Sequence, residues 1–476
     1  MVSVPSQTTS VSLECSTGNA QSLPLCSGLN TATGLKSRSN IVLRDYQVDG
    51  VKWMISMERY PEKGGFLCDE MGLGKTIQML SLVETLGGAT LVVTPKSVMH
   101  QWVSEIKRFG LTDYVTVCTY HKIPGPGSYF HRIILDEGHE ARNKSTKTHR
   151  ALKALEYDKC WVVTGTPVFN SISDFVNLAS FIGVTKLAIQ QDLEAVRDHI
   201  VIRRTKAQIT QPTKCFIHNE ELKMSEAEDT MYTNMYLKCC ERYRALMFKI
   251  RQQNKDDEDL ENNKGTIEIM ELYLRCRQVM IWPGLLEDDW DLPTNKFERL
   301  RELVNSHPDE KTLVFCHFKG EMNQIVKMFS ETHTVFRLDG SVSEDSRILQ
   351  MKRFQNSKNT KCLFVIQIKA GGQGINLQSA SRVYITSPAW NPATELQAIC
   401  RAYRIGQTRD VHVTRLIYTC DGKVPSVEES IQVLQNHKSV VTSEVLAEPA
   451  LEPVGKKMTA VELKKFFSGQ SSKKCQ

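Results

Sequence analysis

GGFLCDEMGLGKTIQMLSLVE, Gly64 to Glu84, places a short apolar run before a glycine-rich turn and a helical segment behind it. A strand that turns through Gly72 and Gly74 into a helix aims backbone N–H groups, and the positive end of the helix dipole, at an anion. Lys75 would then reach the β- and γ-phosphates of a nucleotide, and the Thr76 hydroxyl would bind Mg²⁺. The general phosphate loop has glycine where Asp69 stands here. On these residues alone, an ordinary glycine turn before a helix is the competing reading.

The second half of such a site follows some 60 residues downstream in RIILDEGH. The apolar run through Leu135 reads as a buried strand, with Asp136 and Glu137 at its C-terminal end, where α/β sheets place ligands. Asp136 can hold Mg²⁺, and Glu137 can orient or deprotonate an attacking water. Alone, the acidic pair could be a helix cap. VVTGTP, ending at Pro167, is another strand-end turn, and IKAGGQGINL, Ile368 to Leu377, puts three glycines after a strand. In ELQAICRAYRIGQ, Glu395 to Gln407, Arg401 and Arg404 stand three apart on one helical face. They can act as fingers that neutralise charge across a domain cleft.

These motifs sit on strand-like runs that alternate with helical stretches. TLVVT, YVTVCTY, RIILDE and CWVVTGT lie in the first half of the chain, and TLVFCHF, TVFRLDG, CLFVIQI, RVYITS and VHVTRLI in the second. Alternation of this kind implies parallel sheets covered on both faces. Between the halves, Ser225 and Glu228 form a capping-box pattern, and Tyr232, Met235, Tyr236, Cys239, Tyr243, Leu246, Met247 and Ile250 follow helical spacing. The expected division is a disordered tail (1–39), a first α/β domain (40–218), a helical insertion (219–292), a second α/β domain (293–425), a brace helix (426–445) and a basic tail (446–476).

The chain has 476 residues, with 41% hydrophobic and 24% charged residues, as in ordinary globular domains. No apolar run approaches the roughly 18 residues that a membrane span needs. The 14 cysteines are scattered without a zinc-like CxxC pair, which suits a reducing compartment. Of the net charge of +6, the last 22 residues carry +5 and the first 39 carry +1. The body is neutral, so nucleic acid would be bound by a local basic stripe.

Taken in order, RDYQVDGVKWM, DEMGLGKT, TPKSVMHQW, DEGHEARN, TGTP, LVFCHF, RLDGSVSEDSR, KAGGQGINL, SPAWNPATELQA and RAYRIGQ resemble the helicase motifs of superfamily-2 Swi/Snf-type ATPases over about residues 40 to 440. DEGH, LRCRQV and IKAGG lean toward the helicase-like transcription factor branch. The resemblance implies an α/β fold with two RecA-like domains, a helical insertion, and ATP with Mg²⁺ between the domains. It implies that Gln47 contacts adenine and that the loop from Asp69 through Glu70, Met71, Gly72, Leu73, Gly74, Lys75 and Thr76 cradles the triphosphate. Thr76 and Asp136 would hold the metal, Glu137 would activate water, and Arg401 and Arg404 would reach over from the second domain. His139, Thr164, Gly374 and Gln397 would couple nucleotide state to closure, and Lys96, Ser97 and Trp390 would touch the DNA backbone.

The implied activity is ATP-driven translocation on double-stranded DNA, in the nucleus or at a cytoplasmic viral replication site, with nucleosomes as a further candidate partner. A strand-separating helicase, and a nucleotide-gated DNA-binding scaffold without turnover, are the rival readings. The chain departs from the branch in several places. The cysteines and histidines of 170–290 do not have the spacing of a RING zinc site, and Gln367, Cys400 and Tyr403 replace commoner Ser or Thr, Asp and His. In the basic tail, Leu463, Phe466 and Phe467 share one face of a helical turn. The plainer reading is that this face docks on the protein itself; the alternative is a sliding-clamp box, with Ala460 where such a box usually has Gln.

Overall fold

The computed structural model describes residues 41–62, 64–96, 98–165, 172–206, 208–209, 213–253, 263–371, 376–404, 406–420, 424–433, 435 and 466–467. Ser97, Gly374, Leu463 and the first 39 residues, for which expectations were given above, lie outside them. Among the described residues, twelve strands form two six-stranded sheets. The first contains β1 (Gly64–Leu67), β2 (Thr90–Thr94), β3 (Val115–Thr119), β4 (Tyr129–Asp136), β5 (Glu156–Val163) and β6 (Val201–Ile202), in the order β3-β2-β4-β5-β1-β6. The second contains β7 (Cys215–Lys223), β8 (Thr312–Cys316), β9 (Thr334–Leu338), β10 (Cys362–Gln367), β11 (Arg382–Ile385) and β12 (Val411–Thr419), in the order β7-β12-β11-β8-β10-β9. Every neighbouring pair runs parallel.

Parallel strands need crossover connections, and the crossing helices cover both faces, so the central strands are apolar throughout rather than alternating. β2 and β8 are buried at every position. In the second sheet the two faces feed separate cores. Leu313, Phe315, Phe364, Ile366, Val383 and Ile385 pack on one side. Val314, Cys316, Leu363, Val365 and Tyr384, which alternate with them, pack on the other. The architecture is the expected pair of RecA-like α/β domains.

The helical insertion is also present, as helices Glu226–Gln253 and Asn263–Ile281. Its N-terminus is closed by the capping box: Glu228 N–H donates to Ser225 Oγ (3.3 Å) and Ser225 N–H to Glu228 Oε2 (2.9 Å). Tyr232, Tyr236, Cys239 and Tyr243 of the anticipated face are buried against Ile269, Leu272, Tyr273 and Cys276. The helical turn after Ser426 braces this assembly. Glu428 forms a wholly buried ion pair with Lys296 (2.7 Å) and accepts from Tyr418 N–H (2.7 Å), and Lys296 N–H donates to the Tyr418 hydroxyl (2.7 Å).

Two expectations are corrected. The boundary set at residue 218 falls inside β7, which pairs with β12 along its full length and so belongs to the second sheet. β7 is an edge strand with most side chains in water, so CFIHNEELK lacks the alternation by which a half-buried strand is recognised. The second correction concerns the tail. Phe466 and Phe467 are buried, packed with Tyr236, Tyr243 and Tyr273, and the Tyr236 hydroxyl donates to Phe466 O (2.5 Å). The aromatic pair is held by the insertion, as the plainer reading had it, and is not free to enter a sliding clamp.

Candidate active site in the cleft between the sheets

The phosphate loop, the acidic pair and Thr164 each stand at the end of a strand at the same, C-terminal edge of the first sheet, while the Gln47 motif lies on helix Asp45–Met57, ahead of β1. The chain leaves β1 into Asp69–Gly74, where Gly72 (φ 90°) and Gly74 (φ 78°) take left-handed conformations open to glycine at little steric cost. Helix Lys75–Leu86 starts there, with Gly74 as its N-cap and no side chain capping it, so its first N–H groups stay available to an anion. Asp136 ends β4, and Thr164 follows β5. In the second domain, helix Pro392–Ile399 ends before Arg401 and Arg404, so the two arginines stand on the turn behind it and not, as expected, on one helical face.

These segments line one cavity of about 280 Å³, walled by Met71, Gly72, Gly74, Lys75, Thr76, Asp136, Glu137 and His139 from one domain and by Gln397, Arg401 and Arg404 from the other. Lys75 Nζ donates to the carbonyl oxygens of Asp69 (2.9 Å) and Glu70 (3.4 Å). Burial lowers its pKa, opposed by the charges of Glu137, Asp69 and Asp136. Gly165 leaves room for that side chain: a Cβ there would lie 2.6 Å from Lys75 Nζ and 2.4 Å from Met71 Cγ.

Asp136 accepts from Trp102 Nε1 (2.6 Å) and Thr94 Oγ1 (3.1 Å), both through Oδ2. Burial and the adjacent charge of Glu137 push its pKa up to about 6, against the Trp102 hydrogen bond and Lys75. Glu137 has φ 50° and ψ 51°, the one positive φ at a non-glycine residue among the described residues. Backbone strain of this kind clusters at functional positions. Its Oε2 accepts from Thr164 Oγ1 (3.2 Å), and His139 Nδ1 lies 3.5 Å away, buried and without a hydrogen-bond partner in the described residues.

Arg401 is 7% exposed; burial, and then the charge of Arg404, pull its pKa down to about 10. Burial lowers that of Arg404 too. Two desolvated guanidinium groups beside a cavity walled by carboxylates suit a polyanion, because binding one would relieve their mutual repulsion. The donor set also fits a divalent cation. Among the described residues no three His, Cys, Asp or Glu cluster as a closed metal site. Thr76 and Asp136 are the sparse set with which Mg²⁺ is usually held beside phosphates. Its charge would offset the carboxylate repulsion that raises Asp136.

Not every expected residue points into the cleft. Asp69 is fully buried and turned into the domain, hydrogen-bonded to Gln78 Nε2 (2.9 Å) and to Arg204 Nε (2.9 Å). Gln47 is buried, with Nε2 donating to Leu73 O (3.1 Å) and Oε1 accepting from Arg44 N–H (3.0 Å), so it braces the phosphate loop from behind. Glu70 accepts from Lys206 N–H (2.7 Å). Of the residues expected at the DNA backbone rather than in the cleft, Trp390 packs edge-on against Tyr273 of the insertion (5.5 Å), and Lys96 is exposed beyond the end of β2. Sequence reading had not singled out Trp102, Thr94 or Lys369, which also serve the site. Trp102 lies in a motif already noted, TPKSVMHQW, but nothing in its spacing shows that its indole meets Asp136.

Comparison with known families agrees with this geometry. Residues 46–129 and 122–199 match the SNF2-related domain, and residues 295–406 match the helicase conserved C-terminal domain. Together these matches cover more than half of the chain. The chain belongs to the SNF2-related, or Swi/Snf, ATPase family. Swi/Snf relatives include the ATP-dependent DNA helicase DDM1 of Arabidopsis thaliana, 28% identical over 79% of this chain and 58% of its own length. An uncharacterised ATP-dependent helicase of Mycoplasma pneumoniae is 28% identical over 85% of this chain and 42% of its own length. The chain thus spans about half the length of these two relatives. A probable global transactivator of Orgyia pseudotsugata multicapsid polyhedrosis virus is 26% identical over 90% of this chain and 94% of its own length.

Proposed function

We propose that the protein is an ATP-dependent motor that moves along double-stranded DNA and remodels DNA–protein complexes, nucleosomes among them. The observation that carries this reading is the composite cavity: the phosphate loop and acidic pair belong to one sheet domain, and Arg401 and Arg404 to the other. A site completed by two domains converts nucleotide binding and release into domain closure and opening.

In this reading the loop through Gly72 and Gly74 and the N-terminus of helix Lys75–Leu86 bind the triphosphate. Lys75 leaves its carbonyl contacts to meet the outer phosphates, and Thr76 and Asp136 would hold Mg²⁺, whose charge would help neutralise those phosphates. Glu137, oriented by Thr164, takes the proton of the attacking water. Arg401 and Arg404 stabilise the charge that develops on the transferred phosphoryl group. His139 and Gln397 line the cavity from opposite domains, and we assign them, with Thr164 and Gly374, to the coupling of hydrolysis to closure. Lys96 and Ser97, beyond β2, follow the DNA backbone by phosphate contacts that do not read sequence. The DNA named for the Arabidopsis relative supports this choice of polymer. We assign its work to the nucleus, or to a cytoplasmic viral replication site.

The reading is tested by strand displacement. ATP-dependent release of a third strand from a triplex, with no unwinding of a plain forked duplex, is the expected result. Efficient fork unwinding without triplex release would favour a strand-separating helicase.

A further inference from the structure

Lys206 follows the short edge strand β6 and is 2% exposed, yet no chemical role has so far fallen to it. An ammonium group has three protons to donate. At Lys206 they meet three acceptors: Glu70 Oε1 (3.2 Å), Tyr403 O (2.6 Å) and Cys400 Sγ (3.3 Å). The first lies in the phosphate loop of the first domain and the other two in the arginine turn of the second. The group also stands 4.5 Å from the centre of the Tyr403 ring.

Two further details give this contact a purpose. The Tyr403 carbonyl belongs to the peptide unit that carries the Arg404 nitrogen, so its hydrogen bond fixes the backbone from which Arg404 projects. Gly72 sits at the same junction: a Cβ there would lie 3.2 Å from Arg404 Cβ and 3.6 Å from Lys206 Cε. The near end of Lys206 is fixed too, because its own N–H donates to Glu70 Oε2 (2.7 Å), and Arg204, two residues earlier, is bonded to Asp69. Separating the domains would take two acceptors from a buried charge, which is costly unless water or another acceptor replaces them.

We propose that Lys206 is a positioning residue that clasps the arginine turn to the phosphate loop and sets Arg404 for phosphoryl transfer. This rests on the ATPase reading above. Lys206 reaches no cavity wall itself and acts through the peptide of Arg404.

The test compares Lys206→Met, Lys206→Arg and Arg404→Ala, alone and as the Lys206→Met/Arg404→Ala pair, in the full-length protein. Lys206→Met is expected to lower kcat by roughly 100-fold, as misplacement of a catalytic group by about an ångström does, with KM for ATP held within about twofold. In the Arg404→Ala background the same change should cost nothing more, and Lys206→Arg should recover part of the loss. Equal loss in both backgrounds, or a raised KM with kcat unchanged, would overturn the clasp. Small-angle X-ray scattering without nucleotide gives a second readout that needs no turnover, with Lys206→Gln as a substitute should the Met variant fail to fold. A larger radius of gyration in the variant supports the clasp, and superimposable curves refute it. A wild type that does not hydrolyse ATP would sink the ATPase reading, while the scattering comparison still decides whether Lys206 holds the domains together.

Discussion

Thr164 donates its hydroxyl proton to Oε2 of Glu137 across 3.2 Å, joining the ends of two adjacent strands, β5 and β4, at the floor of the cleft. Glu137 needs such a restraint because its backbone stands at φ 50°, where a side chain costs of order 1–3 kcal/mol. Replacing Thr164 by Val keeps the shape and removes the donor. Hydrogen bonds to charged groups are worth about 1.5–3 kcal/mol, so turnover should fall by about tenfold or more with ATP affinity unchanged. Steady-state ATPase kinetics check this.

Glu137→Gln keeps size and hydrogen-bonding reach but removes the base. Hydrolysis should drop by roughly 10²- to 10⁴-fold while a fluorescent ATP analogue still binds. Equal turnover by the wild type and this variant would remove Glu137 from the chemistry.

Arg404→Ala should leave ATP binding in place and cut turnover by roughly a thousandfold or more, as the loss of an arginine finger does. A drop in affinity with unchanged turnover at saturation would make Arg404 a binder of the ground state only.

Phe467 is fully buried between Tyr236, Tyr243 and Tyr273. Phe467→Ala should therefore destabilise the protein by about 3 kcal/mol, read as a lower midpoint in urea. A neutral substitution would mean that the tail is free in solution and would reopen the clamp reading.

Asp339, at the end of β9, has its pKa held down to about 2, chiefly by the Ser341 hydroxyl and, against the cost of burial, by the Ser341 N–H, Lys319 and Arg337. The folded value lies below the ordinary 3.8, so its stabilisation is present above that pH and disappears as pH falls through about 2. Asp339→Asn should cost about 2 kcal/mol near neutrality and almost nothing at the acid end, measured by denaturant unfolding against pH.

Much of this arrangement could be read from residue order, for a physical reason. Strands buried on both faces must be apolar throughout, and phosphate loops, acidic strand ends and paired arginines are local patterns. Val92, Ile134 and Phe315 announce their strands, and Lys75, Asp136, Glu137, Arg401 and Arg404 meet in the cavity that their motifs imply. What escaped depends on contacts distant in sequence. β7 is an exposed edge strand, identifiable by its partner β12 rather than by its own pattern. Asp69 looks like part of a phosphate loop, but Arg204, 135 residues away, turns it inward. Trp102 acts through one hydrogen bond, and Lys206 through several, to residues distant in sequence, for which no periodicity exists.

The central claim is that this cleft hydrolyses ATP in response to duplex DNA, and it is tested most directly by the ATPase rate of the purified chain with and without linear double-stranded DNA, beside Lys75→Ala. The account predicts a low basal rate, strong stimulation by duplex DNA, and loss of both in the variant. A rate indifferent to duplex DNA, or one that survives Lys75→Ala, would contradict it.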